Sequence, residues 1–147
     1  MRRAEAGGRS RMMTGLENRL KSHYDVLISD DDTACRETVG EAVSRLGCRP
    51  HLASCGQEAI DYVRHHLIHA LIVDMNMPDL TGLDTVLILR QELAQPVPSI
   101  LMSADASPSL KVRALEAHVD TFVPKPVDLG VLRHVVLEIL RRHYEAD

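Results

Sequence analysis

A few side chains stand out for the chemistry they could do together: the run Asp30-Asp31-Asp32, Asp74 at the end of an apolar stretch, Ser103 and Lys125. Carboxylates held close to one another repel, and a single lysine cannot offset them all. A hard divalent cation with oxygen ligands resolves that conflict, and a partly hydrated Mg²⁺ suits two carboxylates, a carbonyl and waters. Taken singly, each acid has a plainer use, because acidic residues after strands cap helices; Asp32 is placed to do so for the helix that follows it. A second group, His65, His66 and His69, has i, i+3 and i, i+4 spacing that could hold a transition metal on a helix. These three fall at a helix end, where the dipole favours imidazolium and solvent is close, and a solvated helix end is the reading adopted.

The acids, the hydroxyl and the lysine can meet only if the chain brings distant positions to one rim. From Asp25 onward short apolar runs alternate with helical stretches, the pattern of βαβ units on a parallel sheet. Val26-Leu27-Ile28 makes the first strand, and a helix over 33–46 follows with Cys35, Val39, Val43 and Leu46 on one face and Gly47 as its stop. The next strand, near 50–53, contains Pro50, which cannot donate to a ladder, so it belongs at a sheet edge. Ser54-Cys55-Gly56-Gln57 has capping-box spacing and predicts a second helix with Ile60, Val63 and Leu67 as its stripe.

Ala70-Leu71-Ile72-Val73 is continuously apolar and reads as a central strand buried on both faces, ending at Asp74. A third helix over 83–94 is broken by Pro96 and Pro98, and Ile100-Leu101-Met102 forms the fourth strand before Ser103. Ser107-Pro108 is an N-cap and first-turn pair for a fourth helix ending near Ala117. Thr121-Phe122-Val123 precedes Lys125, and Asp128 caps a last helix carrying Leu132, Val135, Val136, Ile139 and Leu140. Five βα repeats therefore fill residues 25–143, and every candidate group follows the carboxyl end of a strand, where open parallel sheets bind their ligands.

Bulk properties narrow the class. A chain of 147 residues, 45% apolar and 26% charged, is the size and make-up of one ordinary globular domain. No apolar run approaches the ~20 residues needed to cross a bilayer, and no apolar stretch follows the basic Met1-Arg2-Arg3, so neither membrane insertion nor secretion is expected. Cys35, Cys48 and Cys55 form no CxxC pair and read as small hydrophobes in a reducing, cytoplasmic setting. Residues 1–22 hold six basic and two acidic side chains, a net of +4, which leaves a net of −8 on the remainder. An acidic body argues against a nucleic-acid surface. The expected organisation is a basic extension over 1–22, flexible or forming a short helix around Thr14-x-x-Glu17, Leu16 and Leu20, and one domain over 23–147.

Four motifs in that domain resemble the receiver domains of bacterial two-component response regulators, the stand-alone chemotaxis regulators among them. They are Val26-Leu27-Ile28-Ser29-Asp30-Asp31, the segment Leu71-Ile72-Val73-Asp74-Met75-Asn76-Met77-Pro78-Asp79-Leu80-Thr81-Gly82, Met102-Ser103-Ala104, and Phe122-Val123-Pro124-Lys125-Pro126. The resemblance implies a doubly wound, flavodoxin-like (βα)5 fold with a five-stranded parallel sheet in the order 2-1-3-4-5.

It implies roles as well. Asp74 is then the nucleophile that takes a phosphoryl group. Mg²⁺ is held by Asp31, Asp74 and the main-chain carbonyl of Asn76, with Asp30 helping. Lys125 and Ser103 contact phosphoryl oxygens, Ser103 and Phe122 switch together, and Lys125–Pro126 is a cis peptide. Asn76 and Asp105 flank the path of the water that removes the phosphate. The implied partners are a sensor histidine kinase or a histidine phosphotransfer protein, and a downstream protein meeting the fourth helix, fifth strand and fifth helix, with homodimerisation as an option. Such a chain is a signalling phosphoacceptor that catalyses only its own phosphorylation and dephosphorylation. A phosphate-independent binding module of the same fold is the alternative, and the intact Asp31, Asp74, Ser103 and Lys125 set speaks against it. A phosphatase acting on outside substrates would commonly carry an acid where Asn76 stands.

Departures from the pattern are Ser29, a hydroxyl in a central strand that needs a backbone partner, and His118-Val119, which puts a histidine where a left-handed helix stop is expected.

Overall fold

The computed structural model describes residues 20–146. Its five strands are β1 (Asp25–Ser29), β2 (Arg49–Ala53), β3 (Ala70–Asp74), β4 (Ser99–Ser103) and β5 (Thr121–Pro124). They alternate with α1 (Thr33–Arg45), α2 (Gly56–His65), α3 (Gly82–Glu92), α4 (Pro108–Glu116) and α5 (Leu129–Leu140), and a π-helical turn, Arg141–Glu145, extends α5. All strand pairs are parallel, in the order β2-β1-β3-β4-β5. The expected short helix around Thr14 and Leu16 lies outside the described residues, whereas Leu20 is half-buried against the core.

Period-two alternation builds two cores from one sheet. Val26, Ile28, Ala70, Ile72, Ile100, Met102 and Val123 pack with Val39 and Val43 of α1 and Leu132, Val136 and Ile139 of α5. Leu27, Leu71, Val73 and Leu101 pack on the other face with Ile60, Val86, Leu110 and Ala114 of α2, α3 and α4. Central strands β3 and β4 are buried at every residue, which is why their sequences run apolar without a break. Pro50 sits in edge strand β2, where its missing N–H harms no ladder. Among the described residues no helix is long and apolar enough to cross a membrane.

Helix ends follow the sequence with three corrections. Asp32 accepts N–H bonds from Ala34 and Cys35, Ser107 from Leu110, and Asp128 from Val131, as their cap positions predict. Gly47 (φ 88°) stops α1 and His118 (φ 60°) follows α4 in the left-handed region. The first correction is that no Ser54–Gln57 capping box forms. Ser54 instead bonds the Glu58 carboxylate through both its N–H and its hydroxyl, Gln57 reaches Asp61, and α2 starts one residue later at N-cap Cys55. The second is Leu67: α2 ends at His65, so this leucine leaves the stripe and is 75% exposed. Helix α3 likewise closes at Glu92, two residues before the expected end, because Leu93 is already extended ahead of Pro96.

Candidate functional site

Parallel strands point their carboxyl ends to one rim, so residues far apart in sequence converge there. Asp30 follows β1, Asp74 closes β3, Ser103 closes β4 and Lys125 follows β5. Ladder bonds fix the register: Met75 N–H donates to the Met102 carbonyl (2.8 Å) and Lys125 N–H to the Ser103 carbonyl (2.9 Å). The Lys125–Pro126 peptide is cis. Gly82 opens α3 directly behind β3, where a Cβ would lie 2.5 Å from the Asp74 carbonyl oxygen.

Oxygen atoms of Asp30, Asp31 and Asp74 all lie within 4.8 Å of one another, with Asp30 and Asp74 buried and Asp31 exposed. Lys125 Nζ stands 3.0 Å from Asp30 Oδ2 and 3.1 Å from Asp74 Oδ1. Burial pushes the Asp74 carboxyl above its ordinary value and the neighbouring Asp30 charge adds to this, against the opposing pull of Lys125 and the Asn76 N–H. Asp30 is held below its ordinary value. Burial would raise it too, but the Cys35 thiol, the Asp32 N–H and Lys125 all bond its charged form. Desolvation works against the Lys125 ammonium, yet its two carboxylate partners outweigh that and keep its proton firmly bound. Burial and the adjacent Asp30 charge push the Cys35 thiol up to about 12.

A hard cation fits this donor set. Carboxylate oxygens from two strand ends lie within 4.8 Å of one another, the exposed Asp31 leaves a side open for waters, and a buried acid with raised proton affinity gains most from a new positive charge.

The remaining candidates lie around the cluster at different distances from it. Ser103 is fully buried and its Oγ accepts the Asp105 N–H at 3.0 Å. Asp105 and Asn76 are exposed in the loops after β4 and β3; the Asp105 carboxylate accepts the Ser107 N–H at 2.8 Å. Phe122 pairs with Leu101 in the ladder and is half-buried on the α2–α4 face, away from the acids. Asp32 turns away to cap α1. His65, His66 and His69 separate: the first two bond the carbonyls of Asp61 and Tyr62, and the third packs on Tyr24 and Tyr144 and accepts the Asp25 N–H.

Contacts that the sequence did not disclose support the rim. The Arg36 guanidinium donates to the Asp30 carbonyl at 2.6 Å, and Ser29 Oγ lies 3.1 Å from the Cys55 carbonyl, the backbone partner its burial requires. Asp79 accepts N–H bonds from Gly56, Gln57 and Leu80. Only Arg36, six residues after Asp30 on the first turns of α1, carries a local signal in its spacing.

A doubly wound parallel sheet with three acids, a lysine and a buried hydroxyl on its carboxyl rim defines a receiver-type domain. The profile of the response regulator receiver domain matches residues 26–137. Response regulator MprA of Mycobacterium sp. (strain KMS) is 34% identical over 117 residues, covering 80% of this chain and 50% of that protein. MprA of Mycobacterium avium (strain 104) is 35% identical over 117 residues, covering 80% of this chain and 51% of its own. Among solved structures, the CheY-like response regulator receiver domain protein of Methanospirillum hungatei JF-1 superposes with a TM-score of 0.79 at 23% identity, over 84% of this chain and 98% of that one. The N-terminal domain of a Wolinella succinogenes protein gives 0.74 at 29% identity, over 83% and 96%. The chain belongs to the response regulator receiver domain family of two-component systems. It spans about half the length of the MprA relatives it matches.

Proposed function

We propose that this domain is a phosphorylation-activated switch whose acceptor is Asp74. The observation that carries the reading is the Asp74 carboxyl itself: buried at the end of β3, raised in proton affinity, and faced by Asp30, Asp31 and Lys125. One carboxylate oxygen forms the new bond to phosphorus while the bond from phosphorus to the donor's histidine nitrogen breaks and leaves with its electron pair. Asp31, Asp74 and the Asn76 carbonyl would hold Mg²⁺, with Asp30 alongside, and the ion supplies charge neutralisation for the transferring group. Lys125 can turn from Asp30 to a phosphoryl oxygen, because its ammonium has three donors. Ser103, whose Oγ already accepts from Asp105, has its own proton to donate to another oxygen.

A sensor histidine kinase or a histidine phosphotransfer protein would be the donor, in the cytoplasm. The exposed Val112 and Leu115 of α4 and Val131 of α5 offer apolar contacts to a downstream protein or a second copy across α4, β5 and α5. Phe122, half-buried on the α2–α4 face, would follow Ser103 when it engages phosphate. Incubation with acetyl phosphate and Mg²⁺ followed by intact-mass measurement tests the reading. One added phosphoryl group, absent from Asp74→Asn, is expected. No added mass would favour a binding module that works without phosphate.

A further inference from the structure

Asp79 stands five residues past Asp74, in the loop joining β3 to α3, and is absent from the metal cluster. Its carboxylate nevertheless collects three main-chain donors: Oδ1 accepts Gly56 N–H (3.1 Å) and Leu80 N–H (2.7 Å), and Oδ2 accepts Gln57 N–H (2.8 Å). Desolvation alone would raise this acid, but the bonds from Gln57, Leu80 and Gly56 together bring it down to about 2. Gly56 and Gln57 are the first two residues of α2, and the helix's own N-cap residue, Cys55, contributes no side-chain bond. The acceptor loop therefore caps a helix that precedes it by more than twenty positions.

Two further contacts tighten the junction. Ser29 Oγ touches both the Cys55 carbonyl (3.1 Å) and Met77 Sδ (3.2 Å), so the end of β1 is wedged between the start of α2 and the same loop. At Gly56 a Cβ would lie 2.5 Å from Thr85 Oγ1 and 2.9 Å from Leu80 Cβ, so α2 and the loop meet without room for a side chain. Between Asp74 and Asp79 lies Asn76, whose N–H bonds the Asp74 carboxylate. The loop is thus held at the acceptor by one end and at α2 by the other.

We infer that Asp79 is a positioning residue for phosphoryl acceptance: by clamping the loop to the first turn of α2 it fixes the Asn76 main chain against Asp74 and the metal. The inference deepens the proposed function and rests on that reading of the rim. A plain helix cap would stabilise α2 and leave the metal site indifferent; a positioning residue changes metal affinity as well. Mg²⁺ titrations by NMR and thermal melts on wild type, Asp79→Ala, Asp79→Asn and Glu58→Ala separate the two. Glu58→Ala removes the Ser54 bonds at the same helix end without touching the loop.

The expected result is a dissociation constant for Mg²⁺ raised by about tenfold in Asp79→Ala, as for loss of outer-shell support at metal sites. Asp79→Asn, which keeps one acceptor oxygen at the same volume, recovers part of it, and Glu58→Ala melts lower with wild-type affinity. Asp79→Asn also serves should the alanine variant not fold. Wild-type affinity in both Asp79 variants, or an equal loss in Glu58→Ala, would overturn the inference. A wild-type domain that binds no Mg²⁺ would instead overturn the reading of the rim, and the inference with it.

Discussion

Asp30 and Asp74 share the Lys125 ammonium at nearly equal distances, 3.0 and 3.1 Å, and their proton affinities nevertheless move in opposite directions. The difference lies in their other partners. Asp30 also receives the Asp32 N–H at 2.9 Å and the Cys35 thiol, which bond its charged form. Asp74 is buried opposite that charge with only the Asn76 N–H in addition to the lysine. The ionised form of Asp74 is thus disfavoured by its surroundings, which suits the nucleophile proposed above.

That asymmetry sets the outcome of Asp74→Asn. A folded-state value raised above the ordinary 3.8 means that the native domain binds the Asp74 proton more tightly than the unfolded chain. Its ionised form therefore lowers stability at neutral pH, and the loss is relieved as pH falls through the folded value. The amide removes the charge, so Asp74→Asn should melt at or above the wild-type temperature while losing all phosphoryl labelling. A variant that melts lower, or labelling that persists, would contradict this assignment.

Metal affinity should carry the same signature. Protons compete with a cation for Asp74, and because that carboxyl is raised the competition begins at higher pH than for an ordinary aspartate. Mg²⁺ titrations followed by NMR should weaken on acidification at a higher pH than an ordinary aspartate would require. Asp31→Ala should weaken binding by at least about tenfold at any pH, since a hard ligand and a countercharge vanish together. Equal affinity with and without Asp31 would move the ion away from this rim.

The start of α3 offers a test of backbone crowding. A Cβ at Gly82 would lie 2.5 Å from the Asp74 carbonyl oxygen and 2.8 Å from Leu101 Cδ1, and a carbonyl in a central ladder has nowhere to go. Gly82→Ala should cost roughly 1–3 kcal/mol in chemical denaturation, the usual range for forced overpacking. Labelling should also slow, because any relief displaces the acceptor.

Much of this was legible in the sequence because the sheet obeys local rules. The unbroken apolar run Ala70-Leu71-Ile72-Val73 marked a strand buried on both faces, Pro50 marked the edge, and Asp32, Ser107 and Asp128 capped the helices they precede. Placing acids, hydroxyl and lysine after strand ends was enough to gather them on one rim. The failures have separate causes, a remote partner among them. Ser54-Cys55-Gly56-Gln57 had the spacing of a capping box, but the donors of α2 were satisfied by Asp79 from another loop, and Ser54 turned to Glu58. Leu67 kept helical spacing, but α2 ended first. Cys35 was legible as part of an apolar stripe, while its thiol bond to Asp30 depended on how α1 leaves β1.

His118 stops α4 at φ 60°, a conformation that a side chain disfavours by about 1 kcal/mol or more and glycine adopts freely. Its ring has no part in the stop. The bonds that matter come from main-chain groups: His118 N–H to Leu115 O, Val119 N–H to Ala114 O, and the Arg90 guanidinium to the His118 carbonyl at 2.6 Å. His118→Gly keeps all three and relieves the strain, partly offset by the greater freedom of the unfolded chain. A net stabilisation below about 1 kcal/mol is expected in urea denaturation. A loss would mean that the imidazole contributes to packing.

If Asp74 takes a phosphoryl group as proposed, the lifetime of that state should turn on the residues beside the path of the attacking water. Water must approach phosphorus from the side opposite the Asp74 oxygen, which on the proposed reading brings it past the loops after β3 and β4. Asn76 and Asp105 are exposed polar residues of those loops, two positions past Asp74 and Ser103. Asp105 is held in place by its own bonds: its N–H donates to Ser103 Oγ and its carboxylate accepts the Ser107 N–H. Its position is therefore tied to the hydroxyl proposed to engage phosphate. Small polar side chains at both places leave room for water and can orient it, and orientation is a large part of what a hydrolytic step needs. The wild-type domain should accordingly lose its phosphate quickly in excess Mg²⁺. Asn76→Arg replaces a small amide with a long cation, and Asp105→Leu replaces a polar acceptor with an apolar branch. Each should prolong the phosphorylated state by about tenfold or more, the scale of losing one group that orients or activates the attacking water. Release of labelled phosphate from the purified domain measures it, and a wild-type decay as slow as that of either variant would remove both residues from the water's path.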